Sequence, residues 1–395
     1  MTDHTEQPPA KVKLSTADQA IALVSALSFV LVVLYLALIP FSKNTYGAHD
    51  FVVYWATGQQ LAHHANPYEK VAMAQIEYTA GLHKDLAVGF MRNLPWALPI
   101  TLPLGMLSLR FAGVLWAFAL LGSLLISIRL LRILYGEPKN YRHWLAAAFA
   151  PAVICLLLGQ TSLFALLGYV LFLYLHRSRP FLAGMALWLC ALKPHLFLVV
   201  GAVMLVWVVL NKSYKIIAGA ATALAISIVV TWWIDPAAWM QYAAMMRTSG
   251  IQQEQIPCIG IVLRQYVSPQ STWLQYLPAA VGCVWGLVYF WKRREAWDWL
   301  HNGNLLMVVS IVVAPYGWIM DQVLAIPAIM EGAYRTSSQM LLILLVAATI
   351  TLEAELLTGV KLSSLLFFWS APFWLAWYLL AIWQSKQVMH EADVA

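Results

Sequence analysis

The sequence predicts an all-α, polytopic membrane protein. Apolar residues make up 62% of the 395 positions and charged residues only 11%, so there is too little polar surface for a soluble globule of this size. Uninterrupted apolar runs recur from Ile21 to Trp383, and a chain in hydrocarbon must satisfy its own backbone, which here means helices. The longest stretches without such a run, Phe41 to Asn93 and Asp235 to Ser271, are shorter than typical independent domains. One transmembrane domain, residues 20–384, is therefore expected between tails at 1–19 and 385–395.

Met1 to Gln19 is polar, and the apolar run behind it lacks an Ala-x-Ala cleavage pattern and is followed by further runs. It reads as a cytoplasmic tail before a retained helix. Hydropathy then places spans at 20–40, 111–134, 144–158, 161–175, 180–192, 195–211, 214–234, 273–291, 303–314, 318–334, 339–357 and 362–384. This layout of twelve crossings puts both termini on one side and makes 41–93 and 235–271 outer loops. Fifteen of the 24 lysines and arginines fall on the terminal side, from Lys11 and Lys13 to Arg335 and Lys386, while the 18 acids divide evenly. By the positive-inside rule the termini are cytoplasmic. The net charge of +6 thus reports topology rather than nucleic-acid binding, because the cations form short clusters between spans.

Residues 94–108 are apolar but carry three prolines, and a full crossing there would move every later loop to the other side. They read as a re-entrant or interfacial helix, since irregular backbone at membrane depth is tolerated where it lines a protein cavity. Several spans are short for a core of roughly 30 Å and are joined in pairs by polar apices: Gly159-Gln-Thr-Ser162, Lys193-Pro-His195 and Ala314-Pro-Tyr-Gly-Trp318. All three apices fall on the outer side, where they would border a cavity roofed by the loop 41–93. No internal duplication or pair of matching interrupted helices is visible, which disfavours an inverted-repeat transporter. Cys155, Cys190, Cys258 and Cys283 are scattered and suggest neither a disulfide framework nor a zinc site.

The first outer loop contains Gly47-Ala-His-Asp-Phe-Val-Val-Tyr-Trp-Ala and then Ala65-Asn-Pro-Tyr68. Asp50, Tyr54, Thr57 and Leu61 follow helical spacing, so carboxylate and phenol share one face of a surface helix that Asn66-Pro67 stops. Asp50 either caps that helix or acts as a base. His49, His63 and His64 match no familiar ligand spacing and read as interfacial histidines. Lys193 has no acid nearby in sequence, and Pro194 keeps it out of regular helix. It either snorkels to the headgroups or clamps a lipid-linked phosphate together with His195 and Arg92. Arg92 borders the cavity or is an ordinary loop arginine. Gln160 hydrogen-bonds a sugar or satisfies its own turn. Asp321, about one turn into an apolar helix, contacts substrate or pairs with a cation, most simply Lys193. The loop Trp239 to Gln270, with Tyr242, Arg247, Glu254 and Arg264, suits a sugar and is equally ordinary for an outer loop. The 19 tryptophans partly reflect membrane-interface belts.

In this order, Asp50-Phe-x-x-Tyr54, Asn66-Pro-Tyr68, Gly159-Gln160, Lys193-Pro194, and Pro315 with Met320-Asp-Gln-x-Leu324 resemble glycosyltransferase family 87. The resemblance runs from about Leu31 to Met330. It implies a GT-C fold, relationship to polyprenol-phosphate-mannose-dependent α-mannosyltransferases, and an outer-face active site in the cytoplasmic membrane with Asp50 as base. Family members often carry an aromatic-Pro-Pro stretch where this chain reads Arg92-Asn-Leu-Pro95.

The expected partners are a polyprenyl-phosphate hexose donor, a lipid or glycan acceptor and the bilayer. His49, Tyr54, Asn66, Tyr68, Gln160, Tyr316 and Asp321 are the candidate sugar and acceptor contacts. The chemistry requires no metal, and a divalent cation remains compatible with it. A transporter or flippase is the alternative, with Lys193 and Asp321 on a substrate or proton path and Asp50 as a cap. A lipid-linked-glycan polymerase or ligase would carry a larger central outer loop.

Overall fold

The computed structural model describes residues 15–38, 50–81, 89, 91–248 and 255–394, the last seven by backbone alone. Among the described residues the regular structure is entirely helical. Helix α1 (Thr16–Leu38) is followed by three short helices: α2 (Phe51–Ala62), α3 (Lys70–Thr79) and α4 (Leu98–Gly105). After them come α5 (Leu109–Leu134), α6 (Leu145–Ala148), α7 (Ala150–Leu158), α8 (Ser162–Leu175) and α9 (Pro180–Cys190). The chain continues as α10 (Leu198–Leu210), α11 (Tyr214–Ile234), α12 (Ala238–Thr248), α13 (Ile259–Val267) and α14 (Trp273–Arg293). It ends with α15 (Trp299–Val313), α16 (Ile326–Arg335), α17 (Gln339–Leu357) and α18 (Ser370–Val394).

Among the described residues six helical segments are long and apolar enough to cross a membrane: Thr16–Leu38, Leu109–Leu134, Tyr214–Ile234, Trp273–Ala296, Gln339–Leu357 and Leu365–Gln387. Five shorter apolar helical segments, Arg142–Leu158, Ser162–Leu175, Pro180–Cys190, Pro194–Leu210 and Trp299–Val313, fall on further expected spans. At about 1.5 Å per residue, α9 is roughly half a hydrocarbon thickness long. Large apolar side chains face outward along the long helices, as in Leu23, Leu27 and Leu31 of α1 and Val281, Val284 and Val288 of α14. This is the inverse of a water-facing surface and the expected one for lipid contact. The chain is an all-helical polytopic membrane protein.

Two expected spans are less regular than the sequence suggests. Residues 144–158 break at Phe149, whose ψ of 118° precedes Pro151 in the first turn of α7. Residues 318–334 begin as a 3-10 helix, Ile319–Ala325, and become α-helical only from Ile326. The proline-rich stretch is also two pieces, a 3-10 turn at Pro95–Ala97 and then α4.

α4 lies across α2, and a side chain on Gly58 or Gly105 would strike the opposing backbone, so the crossing depends on both glycines. Trp55 donates its indole N–H to the Leu107 carbonyl at 3.0 Å, and Gln59 bonds Gly105 O. These contacts fix the surface helix that begins at Asp50.

The opposite end of the bundle is held by the residues expected on the cytoplasmic side. Arg142 pairs with Asp18 at 2.9 Å and donates to the carbonyls of Ala333 and Thr336, joining α1 to the end of α16. Buried Glu331 accepts hydrogen bonds from Asn304 and Tyr378 and pairs with Arg335.

Candidate active site

The three polar apices meet, and Asp321 joins them. Its Oδ1 accepts from Ser162 Oγ and from Lys193 Nζ, each at 2.6 Å, and its Oδ2 accepts from the Trp318 backbone N–H at 2.9 Å. Ser162 belongs to the first apex, Lys193 to the second and Trp318 to the third. Asp321 is 1% exposed and Lys193 8%, so this is a buried ion pair with its carboxylate satisfied on both oxygens. The pairing expected of Asp321 is found, and it leaves two Lys193 N–H groups beyond the one spent on Asp321. The apices pack against one another, and the crevice beside Asp321 holds only about 10 Å³.

The first apex turns at Gly159, in left-handed conformation with φ of 74°. A side chain there would meet Phe51 Cβ at 2.6 Å, so this glycine also lets α2 approach the turn. Trp116 of α5 donates its indole N–H to the Gly159 carbonyl at 2.7 Å, and its ring lies 5.5 Å from Tyr54 and 5.0 Å from Phe164. Tyr54 donates to Gln160 Oε1 at 3.2 Å, and the Thr161 backbone N–H donates to the same oxygen. The Gln160 carbonyl side is thereby filled, which directs its amide N–H groups elsewhere.

One of them serves Asp50. This residue occupies the position before α2, yet its side chain makes no capping bond. Its carboxylate takes a side-chain hydrogen bond from Gln160 and lies in the electrostatic field of Lys193, Asp321 and Arg92. Burial pushes its pKa up to about 6, opposed by Lys193, the Gln160 bond and Arg92 and reinforced by Asp321. The carboxylate thus turns away from its own helix and toward the first apex, so it is not a helix cap.

The chain around Arg92 closes over the second apex. Asn93 donates its amide to the Leu192 carbonyl and Trp96 its indole N–H to Ala191 O, both at 2.9 Å. Tyr68 is buried, donates to the Asn93 carbonyl at 3.4 Å and meets Tyr242 edge to face at 5.5 Å. Asn66 uses its own carbonyl oxygen to accept the Tyr68 backbone N–H, so it shapes the turn. His195 stacks on Tyr316 at 3.7 Å, and its Nε2 has no hydrogen-bond partner among the described residues. The segment leading into α13 and the first turn of that helix cover the third apex through Ile256, Cys258 and Ile261, which pack on Tyr316 and Trp318.

Asp50, Tyr54, Gln160, Lys193 and Asp321, with Arg92 in their field, are thus brought together, while His195 and Tyr316 flank the ion pair. His49 and Glu254 lie outside the described residues. His63 is exposed and bonded to its own helix at Gln59 O, and His64 is exposed, as expected of interfacial histidines. Arg264 is buried and bonded to Gln275 at 2.8 Å. Sequence alone gives Ser162 no role beyond its place in the first apex, and Trp116 and Trp96 are indistinguishable there from belt tryptophans in an apolar run.

The chain matches glycosyltransferase family 87 over residues 93–315, more than half of its length. It belongs to that family. No curated protein and no solved structure matches it. The family 87 match spans the first two apices, with Gln160, Ser162, Lys193 and His195, and ends at Pro315. Asp50 and Asp321 lie outside the matched residues, and the contacts above connect them to it. The protein is therefore a membrane glycosyltransferase, which sets aside the transporter alternative.

Proposed function

We propose that this glycosyltransferase moves a hexose, mannose by family habit, from a polyprenyl phosphate to a hydroxyl of a lipid or glycan. The reaction is placed on the outer face of the cytoplasmic membrane, with inversion at the anomeric carbon. The observation that carries this reading is Asp50: a carboxylate that does not cap its helix, with a pKa of about 6, in the electrostatic field of a buried lysine and an arginine. A base with that pKa is ionised at neutral pH and still basic enough to assist a hydroxyl that is losing its proton.

In the proposed step the acceptor oxygen attacks the anomeric carbon as its proton passes to Asp50. The carbon–oxygen bond to the phosphate breaks, and its electron pair leaves with the lipid phosphate. That leaving group is weakly basic, so a general acid is dispensable. In this reading Lys193, which has N–H groups beyond the one given to Asp321, and Arg92 offset the charge that grows on the phosphate. His195, whose Nε2 has no partner among the described residues, is the third candidate for the donor phosphate, and Tyr316 stacked on it is a candidate sugar contact. Single displacement converts a β-linked donor into an α-linked product. The route requires no metal, and a divalent cation bound by the donor phosphate is compatible with it.

The test is product analysis after membranes containing the enzyme are incubated with labelled polyprenyl-phosphate sugars, comparing wild type with Asp50→Asn. The substitution keeps the shape and removes the base, so transfer is expected to fall by about 10²- to 10⁴-fold with expression unchanged. Near-normal turnover in that variant would sink the assignment.

A further inference from the structure

A second site lies at the opposite end of the bundle. A cavity of about 540 Å³ opens where α8, α10 and α15 end or begin, lined by Arg177, Lys212, Lys215, Trp207, Trp297 and Trp299 among others. We propose that this cavity binds the phosphate of an anionic phospholipid in the cytoplasmic leaflet.

Charge, shape and location each point to that ligand. Arg177 is paired with Asp298 at 2.9 Å, whereas Lys212 and Lys215 form no ion pair among the described residues, so two cations remain to be neutralised. Lys212 sits in left-handed conformation with φ of 51°, closing α10 through the Ser213 N–H to Val208 O bond. Glycine fills such a position at lower cost, so a lysine there suggests use of its charge.

The aromatic wall is rigid. Trp299 meets Trp207 and Trp297 edge to face, each at 5.5 Å. Trp299 is buried behind the other two rings, so the wall offers the cavity an aromatic face. Exposed Val209, Leu210 and Tyr214 adjoin the lining residues in the chain and offer an apolar path for acyl tails. Free inorganic phosphate satisfies the cations and gains nothing from that apolar path, which decides for a lipid. Lysines and arginines with tryptophan at a membrane interface are the usual means of holding anionic headgroups.

Native mass spectrometry of the full-length protein in detergent tests this, with phosphatidylglycerol and phosphatidylcholine offered at equal concentration. Retention of phosphatidylglycerol over phosphatidylcholine is expected, weakened on the order of tenfold or more in Lys212→Gln/Lys215→Gln. Both lysines are exposed, and an unchanged melting temperature would confirm an intact fold. Displacement of the lipid by millimolar inorganic phosphate would overturn the lipid assignment in favour of a soluble phosphate ligand. Equal retention of the two lipids, or no loss in the double variant, would overturn the site itself. None of these readouts depends on sugar transfer, so the site stands or falls apart from the proposed activity.

Discussion

Lys193 Nζ lies 2.6 Å from Asp321 Oδ1, and this pair joins two apices 128 residues apart in the chain. Removing one member of a buried pair leaves the other charge unneutralised, at a cost of about 3–5 kcal/mol. Asp321→Ala is therefore expected to lower the melting temperature in detergent well below that of wild type. Lys193→Met/Asp321→Leu should recover most of the loss, since it removes both charges, while transfer stays absent. A double variant as unstable as Asp321→Ala would show that the apices depend on something other than the pair.

The pH profile follows from Asp50. With its pKa at about 6, kcat/KM should rise about tenfold per pH unit below 6 and level off above it. Lys193 lowers that pKa and Asp321 raises it. Lys193→Ala should accordingly move the acidic limb to higher pH and Asp321→Asn to lower pH, in whatever fraction remains folded. A profile flat from pH 5 to 8 would exclude Asp50 as the titrating base.

The apolar segments were legible because hydropathy is local: each expected span meets a helical segment within a few residues. The apices were legible for the same reason, since Gly159, Pro194 and Pro315 mark turns wherever the chain goes. Their mutual bonding was not. Ser162 and Asp321 are 159 residues apart, and no periodicity in a single sequence records which polar turn will face which. Whether Asp50 caps its helix depends on the direction of one side chain, and that direction is set by a hydrogen bond from Gln160, in another part of the fold. Trp116 shows the same limit: within an apolar run its indole resembles a lipid-facing belt residue, yet it bonds Gly159.

Gly159 makes a separate prediction. A β-carbon there would stand 2.6 Å from Phe51 Cβ, and φ of 74° disfavours any side chain by about 1–2 kcal/mol. Gly159→Ala should push α2 away from the first apex and with it Asp50, lowering kcat more than it raises KM. A change confined to melting temperature would show that the approach of Phe51 serves packing alone.

Glu77 tests the segment between α1 and α4. It is buried in α3, with Oε2 accepting from the Gly89 N–H at 3.2 Å and Oε1 without a partner among the described residues. Burial raises its pKa to about 7, above the 4.5 of an ordinary glutamate, and the Gly89 bond offsets part of that. The folded loop thus keeps a proton that the unfolded chain releases between those two values. Stability is greatest below pH 4.5, falls as pH rises through that window, and is fully diminished above 7. Glu77→Gln mimics the protonated form, so it should protect the loop from proteolysis at pH 8 and change nothing at pH 4. Protection equal at both values would mean that the carboxyl does not titrate with folding.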